Sequence, residues 1–320
     1  FRLLLEYDDI KTIVINDPMQ FENIVHLIKY DSIHGRFTKN VIIGNNSITI
    51  QDKHIFIYHH TQPQNIPWKK HKINYVVESS GQFKTADNLK LHLDAGAENV
   101  ILCQPALGLL DKTVVMGVNE QSIVPSDKLI SNASCTTNCI APLLSVLHKR
   151  FNIEKAFFTT VHPFTSNQSL LDGQHTDLRR SRSAMCNIIP TSSTAVGAIE
   201  TIIPELTGKI DGFATRVPVP IGAYVEIVAK LQHSTSTNEI NSLIKYHCET
   251  THKNIIAYTE DPLVSTDIVG LPYSTIFDSL STKCIGGDLV QLLAWYDNET
   301  GYSHRVVDLI KYVQQIKLNQ

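Results

Sequence analysis

Short apolar runs alternate with helical stretches along the first third of the chain. Residues 1–9 read as the end of a helix, and a β-rich run, Thr12-Ile13-Val14-Ile15, follows and stops at Asn16-Asp17-Pro18. Tyr75–Glu78 and Val100–Cys103 are further strand-sized apolar runs, with 3.6-residue periodicity between them around 85–95. Strands interleaved with helices predict a parallel sheet covered on both faces. Beyond Asn138 the pattern changes. Ala156–Val161, Gly212–Val217, Tyr224–Leu231 and Leu289–Tyr296 are longer and alternate more strictly, which predicts a mostly antiparallel sheet with one packed face. Helical periodicity returns at about 236–249 and about 301–316. The expected architecture is α/β: a parallel-sheet domain over 1–134, an α+β domain over 135–298, and a C-terminal helix, 299–320, completing the first domain.

Composition narrows the function classes. A chain of 320 residues holds two ordinary domains, and 42% hydrophobic with 18% charged residues is globular composition. A net charge of −3 gives no footprint for nucleic acid or an acidic membrane surface. No apolar run reaches the roughly 20 residues that span a bilayer, and the N-terminal Phe1–Glu6 lacks the features of a secretory signal. Six cysteines, at 103, 135, 139, 186, 248 and 284, form no CxxC pair and no disulfide framework. A reducing cytoplasm is the expected location, and no metal site is expected.

The chemistry concentrates in Ser131-Asn132-Ala133-Ser134-Cys135-Thr136-Thr137-Asn138-Cys139. Small hydroxyl residues surround Cys135 just ahead of an apolar helical run, Ile140–Leu147. Ser and Thr there are good N-cap candidates, so Cys135 is expected at a helix N-terminus, where partial positive charge favours thiolate. A buried structural cysteine is the bland alternative, and it suits Cys139 better. The candidate base is His162, at the end of the strand Phe157–Val161; on bare sequence it is one of 14 histidines.

The cysteine block, followed by a strand ending in Thr160-Val161-His162, resembles glyceraldehyde-3-phosphate dehydrogenase of the bacterial type. Weaker matches fall in the family's order: Tyr30–Phe37, Met116–Asn119, Asn187–Pro190, Ile203–Leu206 and Trp295–Glu299. The sister erythrose-4-phosphate dehydrogenases share most of these. The resemblance implies a Rossmann-type domain beside a catalytic domain, a homotetramer, and a place in glycolysis. It also implies phosphorylating oxidation of glyceraldehyde 3-phosphate by NAD and inorganic phosphate. Cys135 would be the nucleophile that carries the thioester, and His162 the base that also polarises the carbonyl. The alternatives are erythrose-4-phosphate oxidation with water as acyl acceptor, and a scaffold that kept the fold without turnover. The segment His162–Gln168 leans toward the glyceraldehyde enzymes.

By the same resemblance one phosphate site comprises Thr165, Asn167 and Arg216, and a second Ser134, Thr136 and Ser193. An arginine within an apolar strand, as Arg216 is, must be paired or face a polar site. Two segments depart from the family. Where the family has a glycine after Ser193 this chain has Thr194, with Gly197 in place of a lysine, which bears on the choice of acyl acceptor. Pro218–Ala223 replaces a stretch usually richer in polar side chains.

The cofactor residues implied are Asp17 for the adenosine ribose, favouring NAD over NADP, Ser80 and Gly81 in the pocket wall, Asn298 for the carboxamide and Tyr302 beside the ring. Asp17 reads equally as a turn former in Asn-Asp-Pro. No Gly-x-Gly-x-x-Gly loop occurs in the sequence. The expectation is that a first strand and glycine loop belong ahead of Phe1 in a longer gene product, the competing reading being a relative without them.

Overall fold

The computed structural model describes residues 1–318; the last two residues of the expected 299–320 helix lie outside the described residues. Two compact units are present. The first comprises Phe1–Lys112, Ile123–Ser131 and the final turns of the C-terminal helix from Ile310; the second comprises Thr113–Ser122 and Asn132–Leu309.

The first unit holds eight strands in two four-stranded sheets. In the first sheet β1 (Ile13–Asn16) pairs parallel with β4 (Lys53–Tyr58), whose other edge carries the antiparallel β3 (Ser47–Ile50) and then β2 (Val41–Ile43). Helix α1 (Phe21–Lys29) seals its apolar stripe against this sheet through Ile24 and Val25, in a cluster with Ile48, Ile50, Ile55 and Ile57. The second sheet is parallel, β5 (Tyr75–Glu78) beside β6 (Asn99–Leu102) beside β8 (Leu129–Ser131), with a two-residue edge, β7 (Lys112–Thr113). Its four-residue runs are buried on both faces at β6, as a covered parallel sheet requires. The short helix α2 (Trp68–His71) and α3 (Ala86–Asp94) pack there through Trp68 and Leu89. Thr85 caps α3 by accepting from the Asn88 amide.

Two expectations need correction. The N-terminal residues form only a 3₁₀ turn, Leu3–Glu6. Leu5 is its one buried residue, so a single apolar anchor, with no stripe, fixes the segment. The antiparallel β2–β3–β4 meander, absent from the expected scheme, turns at Asn46 and Gln51, both of which have positive φ.

The second unit is built on seven strands in the order β10 (Ile189–Ser192), β11 (Ile210–Val217), β9 (Ile153–Pro163), β12 (Ala223–Leu231), β15 (Leu289–Tyr296), β14 (Thr275–Ile285), β13 (Ile256–Thr259). All neighbours are antiparallel except β11 with β9 and β13 with β14. Helices α4 (Cys135–Phe151), α5 (Ala195–Ile202) and α6 (Thr237–Glu249) supply the residues that cover one face. The long α7 (Thr300–Leu318) begins in this unit.

Helix α4 explains why sequence periodicity located only its middle. From Thr136 to Leu147 every residue is buried, so there is no polar face to alternate with. On β9 the alternation is clean: Ala156, Phe158, Thr160 and His162 face the packed side, while Phe157 faces out. Gly212 of β11 sits opposite Phe158, and a Cβ there would stand 2.5 Å from the Phe158 carbonyl oxygen. Truncation of Phe158, 1% exposed in the main core, to alanine is expected to cost about 3–5 kcal/mol in urea unfolding. A loss below about 1 kcal/mol would mean that the core closes over the cavity.

Candidate active site

The backbone turns sharply ahead of α4. Ala133 takes φ +53, a left-handed conformation that a non-glycine residue rarely adopts, and the Tyr302 hydroxyl donates to its carbonyl at 3.0 Å. Ser134 is the N-cap: its Oγ accepts from the Thr137 amide at 3.0 Å. Cys135 is therefore the first residue of the helix, as its setting in the sequence implies. Thr275 reaches under the same helix to donate to the Cys139 carbonyl at 2.7 Å. Cys139 itself is fully buried in the core and burial holds its thiol protonated.

His162 reaches Cys135 because β9 delivers it on the packed face. Its Nε2 lies 3.5 Å from Sγ. Arg216 is its register partner on the parallel neighbour β11, and Arg216 Nη1 lies 2.5 Å from His162 Nδ1 and donates to the Pro163 carbonyl at 2.8 Å. Nδ1 also stands 2.9 Å from that carbonyl. The two neighbours of Nδ1 call for opposite tautomers: the Arg216 N–H can only donate to it, whereas the Pro163 carbonyl can only accept from it. A base role for Nε2 requires the second, with Nδ1–H on Pro163 and the Nε2 lone pair toward the thiol. Tyr296 completes the row: it sits in register with Ala223 of β12, its ring is edge-on to His162 at 6.0 Å, and its hydroxyl bridges Thr136 at 2.9 Å and Thr160 at 2.8 Å.

Electrostatics reverse one expectation. Loss of hydration raises the Cys135 thiol above its ordinary value, outweighing the Arg216 charge and the Thr136 hydrogen bonds that lower it. The helix start does favour thiolate, but its contribution is smaller than the cost of drying the sulfur. Cys135 as a residue keeps some exposure, and the enclosure is of its sulfur. Burial and then Arg216 push His162 down to about 3, against a weaker opposing bond to Pro163. The resting pair is thus neutral thiol and neutral imidazole.

The other expected anion residues are distributed around this row. Thr165 and Asn167 follow β9, their side chains bonded to each other at 2.7 Å, Thr165 half-buried and Asn167 exposed. Thr136 is buried with its hydroxyl on Tyr296. Ser134 is occupied as the helix cap. Ser193 precedes α5 and accepts from the Ala195 amide. Thr194 is exposed and makes no capping bond. Arg180, from the basic run 177–182, bonds Thr191 at 2.8 Å and the Ser192 carbonyl at 3.2 Å, bringing a second guanidinium charge to bear on Arg216. Tyr296 carries no site expectation from the sequence; Arg180 belongs to a basic run that reads either as a solvated, ion-paired loop or, by the family resemblance, as a loop lining the cofactor pocket at a subunit interface. Tyr296 ends a strand within the matched Trp295–Glu299 motif, which was the available signal.

The expected cofactor residues are divided between the two units. In the first unit Asp17 directly follows β1, at the carboxyl edge of a parallel pair where such ligands bind. One of its oxygens accepts from the Met19 amide at 2.9 Å, so the turn role is also real. Gly81 has φ +76 with open space where a Cβ would stand, which leaves the backbone approachable by a ligand. In the second unit Asn298 accepts from the Gly222 amide at 3.2 Å, which orients its amide and leaves its NH₂ free to donate.

A cysteine at a helix start facing an imidazole equips a protein for covalent catalysis through a thioester, the chemistry of thiol-dependent dehydrogenases. The chain belongs to the glyceraldehyde 3-phosphate dehydrogenase family. Residues 1–86 match the family's NAD binding domain and residues 134–298 its C-terminal domain. It is 44% identical over 314 residues to glyceraldehyde-3-phosphate dehydrogenase of Geobacillus stearothermophilus, covering 98% of this chain and 93% of that protein. Identity is 42% over 314 residues to glyceraldehyde-3-phosphate dehydrogenase 2 of Bacillus subtilis (strain 168), covering 98% and 92%. It is 45% over 307 residues to the Borreliella burgdorferi enzyme, covering 94% and 91%. The chain is an NAD-dependent oxidoreductase of this family.

The depressed His162 pKa has a sign. An unfolded chain binds a proton at about pH 6.5, the folded site only near 3. The stability from neutral, buried His162 is complete above about 6.5 and is lost as pH falls from there toward 3. His162→Asn should therefore lose less stability than the parent between pH 7 and pH 4 in urea titrations. Parallel losses would show that the imidazole is not held neutral.

Proposed function

We propose that this protein oxidises glyceraldehyde 3-phosphate to 1,3-bisphosphoglycerate with NAD and inorganic phosphate, through a thioester on Cys135. The observation that carries the reading is the contact of His162 Nε2 with Cys135 Sγ at 3.5 Å, backed by Arg216. In this reading the first unit holds the adenosine part of the cofactor through Asp17, Ser80 and Gly81. Asn298 and Tyr302 serve the nicotinamide end.

Sγ attacks the aldehyde carbon as its proton passes to Nε2, and Nε2 then gives that proton to the oxyanion, forming the hemithioacetal hydroxyl and restoring the neutral imidazole. NAD, when bound, supplies the acceptor for the hydride that leaves the hemithioacetal carbon. The hydroxyl proton goes to His162, leaving the thioester. A phosphate oxygen attacks the acyl carbon, the C–S bond breaks, and sulfur recovers its proton from His162. Thr165, Asn167 and Arg216 hold the substrate phosphate; Ser193 and Thr136, with Ser134, serve the attacking phosphate. Arg216 also links binding to proton transfer. A phosphate dianion on its guanidinium offsets the charge that depresses His162, so the base strengthens when substrate arrives.

Assembly as a homotetramer is supported by uncovered apolar surface in the second unit. Phe157 and its register partner Val228, with Phe213, stand on the open face of the large sheet. Leu170, Leu171, Leu178 and Ile188 are all more than 60% exposed. Areas of this kind are usually covered by another subunit. A cytoplasmic location accords with the free cysteines. None of the described helices is long and apolar enough to cross a membrane.

Two measurements test these readings. NADH formation from glyceraldehyde 3-phosphate should require phosphate and vanish in Cys135→Ser, while His162→Asn slows it by roughly 10²–10⁴-fold. Turnover without phosphate, favouring erythrose 4-phosphate, would replace the proposed substrate. Phe157→Asp should shift light-scattering mass from tetramer toward smaller species; an unchanged mass would remove that face from the interface.

A further inference from the structure

The first unit contains a buried polar chain that the proposed reaction does not use. Trp68 on α2, His92 on α3 and Glu78 at the end of β5 are 5%, 2% and 5% exposed. Trp68 Nε1–H donates to His92 Nδ1 at 3.1 Å. An indole N–H can only donate, so Nδ1 is the bare nitrogen and the proton sits on Nε2. Nε2–H then donates to Glu78 Oε2 at 3.0 Å. The other oxygen, Oε1, accepts from the Ser80 backbone amide at 2.7 Å. Burial pushes the Glu78 carboxyl up, but the bonds from His92 and Ser80 prevail and hold it below its ordinary value.

A core of this size could be filled by apolar side chains, and an ionised carboxylate is costly there unless fully bonded. What the arrangement adds is a direction. Helix α2 is linked through His92 of α3 to the carboxylate at the end of β5, and that carboxylate's remaining oxygen leads out of the core to the turn of Ser80 and Gly81. That turn needs an anchor. Gly81 has positive φ and open space around it, Ser80 and Gly81 are both exposed, and the next bond inside the turn, Gln82 amide to Ser80 Oγ, is local.

We propose that Trp68, His92 and Glu78 are positioning residues for the cofactor, setting the Ser80–Gly81 turn in its binding conformation through the Glu78–Ser80 bond. The inference rests on the reading that this turn contacts NAD. Glu78→Gln keeps the shape but confronts His92 Nε2–H with an amide that cannot accept on both sides. His92→Leu severs the chain, whereas His92→Gln can still donate to Glu78 and accept from Trp68.

Calorimetric titration of the full-length protein with NAD tests this without turnover. Loss of a hydrogen bond to a charged group is expected to weaken binding about tenfold or more. Glu78→Gln and His92→Leu should raise the NAD dissociation constant by that factor, with the KM for glyceraldehyde 3-phosphate unchanged. His92→Gln should recover most of the affinity. Were the chain only a stabiliser, both variants would lower the thermal midpoint and leave NAD binding at the parental value, overturning the proposal. Gly81→Val separates the two levels of the argument. If it binds NAD normally, the turn is not a cofactor contact and the underlying reading fails. If it binds poorly while Glu78→Gln binds normally, only the positioning role fails.

Discussion

The parallel register of β9 and β11 is the constraint on which the catalytic geometry depends. It sets His162 beside Arg216 on one face of the sheet, and the alternation of β9 from Ala156 to His162 puts the imidazole on the packed side, with its Nε2 at Cys135. A slip of one residue would send His162 to the open face and replace it with Val161 or Pro163. The core enforces the register: Phe158 sits beside Gly212, where no larger residue would fit, and Ile210 and Ala214 share its packed side.

Arg216 acts in two opposing ways on this pair. Its charge lowers the thiol and also lowers the imidazole, because it stands against the far ring nitrogen. A sulfur shielded from water and a disfavoured imidazolium together favour the proton on Cys135. In the proposed reaction, a substrate phosphate on the guanidinium relieves this, so reactivity would be coupled to occupancy, which matters for a group as readily modified as a thiolate.

Legibility in the sequence followed the range of the interactions. Cys135 at a helix start was readable because capping is local: Ser134 and Thr137 are three residues apart. The strands Tyr75–Glu78 and Leu289–Tyr296 were readable because burial alternates or is continuous. Helix α4 was only half readable, since a helix buried on all sides loses its period. Of the β2–β3–β4 meander, the first turn carries a legible cue in Gly44-Asn45-Asn46, whereas the second puts Gln51 at positive φ, where no glycine or asparagine marks it. The thiol's pKa was misjudged because dipole and cap are written in neighbouring residues, whereas drying of the sulfur comes from strands far along the chain. The Trp68–His92–Glu78 chain was invisible for the same reason, its members being brought together only by the sheet.

The site divides between frame and filler. The reacting groups stand on strands and on a helix start, whereas the 25 residues between β9 and β10, from 164 to 188, contain no helix or strand. That stretch carries Thr165, Asn167 and the arginine run. On the proposed reading, changes there would reshape what the protein accepts without disturbing how it reacts, so divergence in selectivity would have an inexpensive route, while the frame leaves little room for drift.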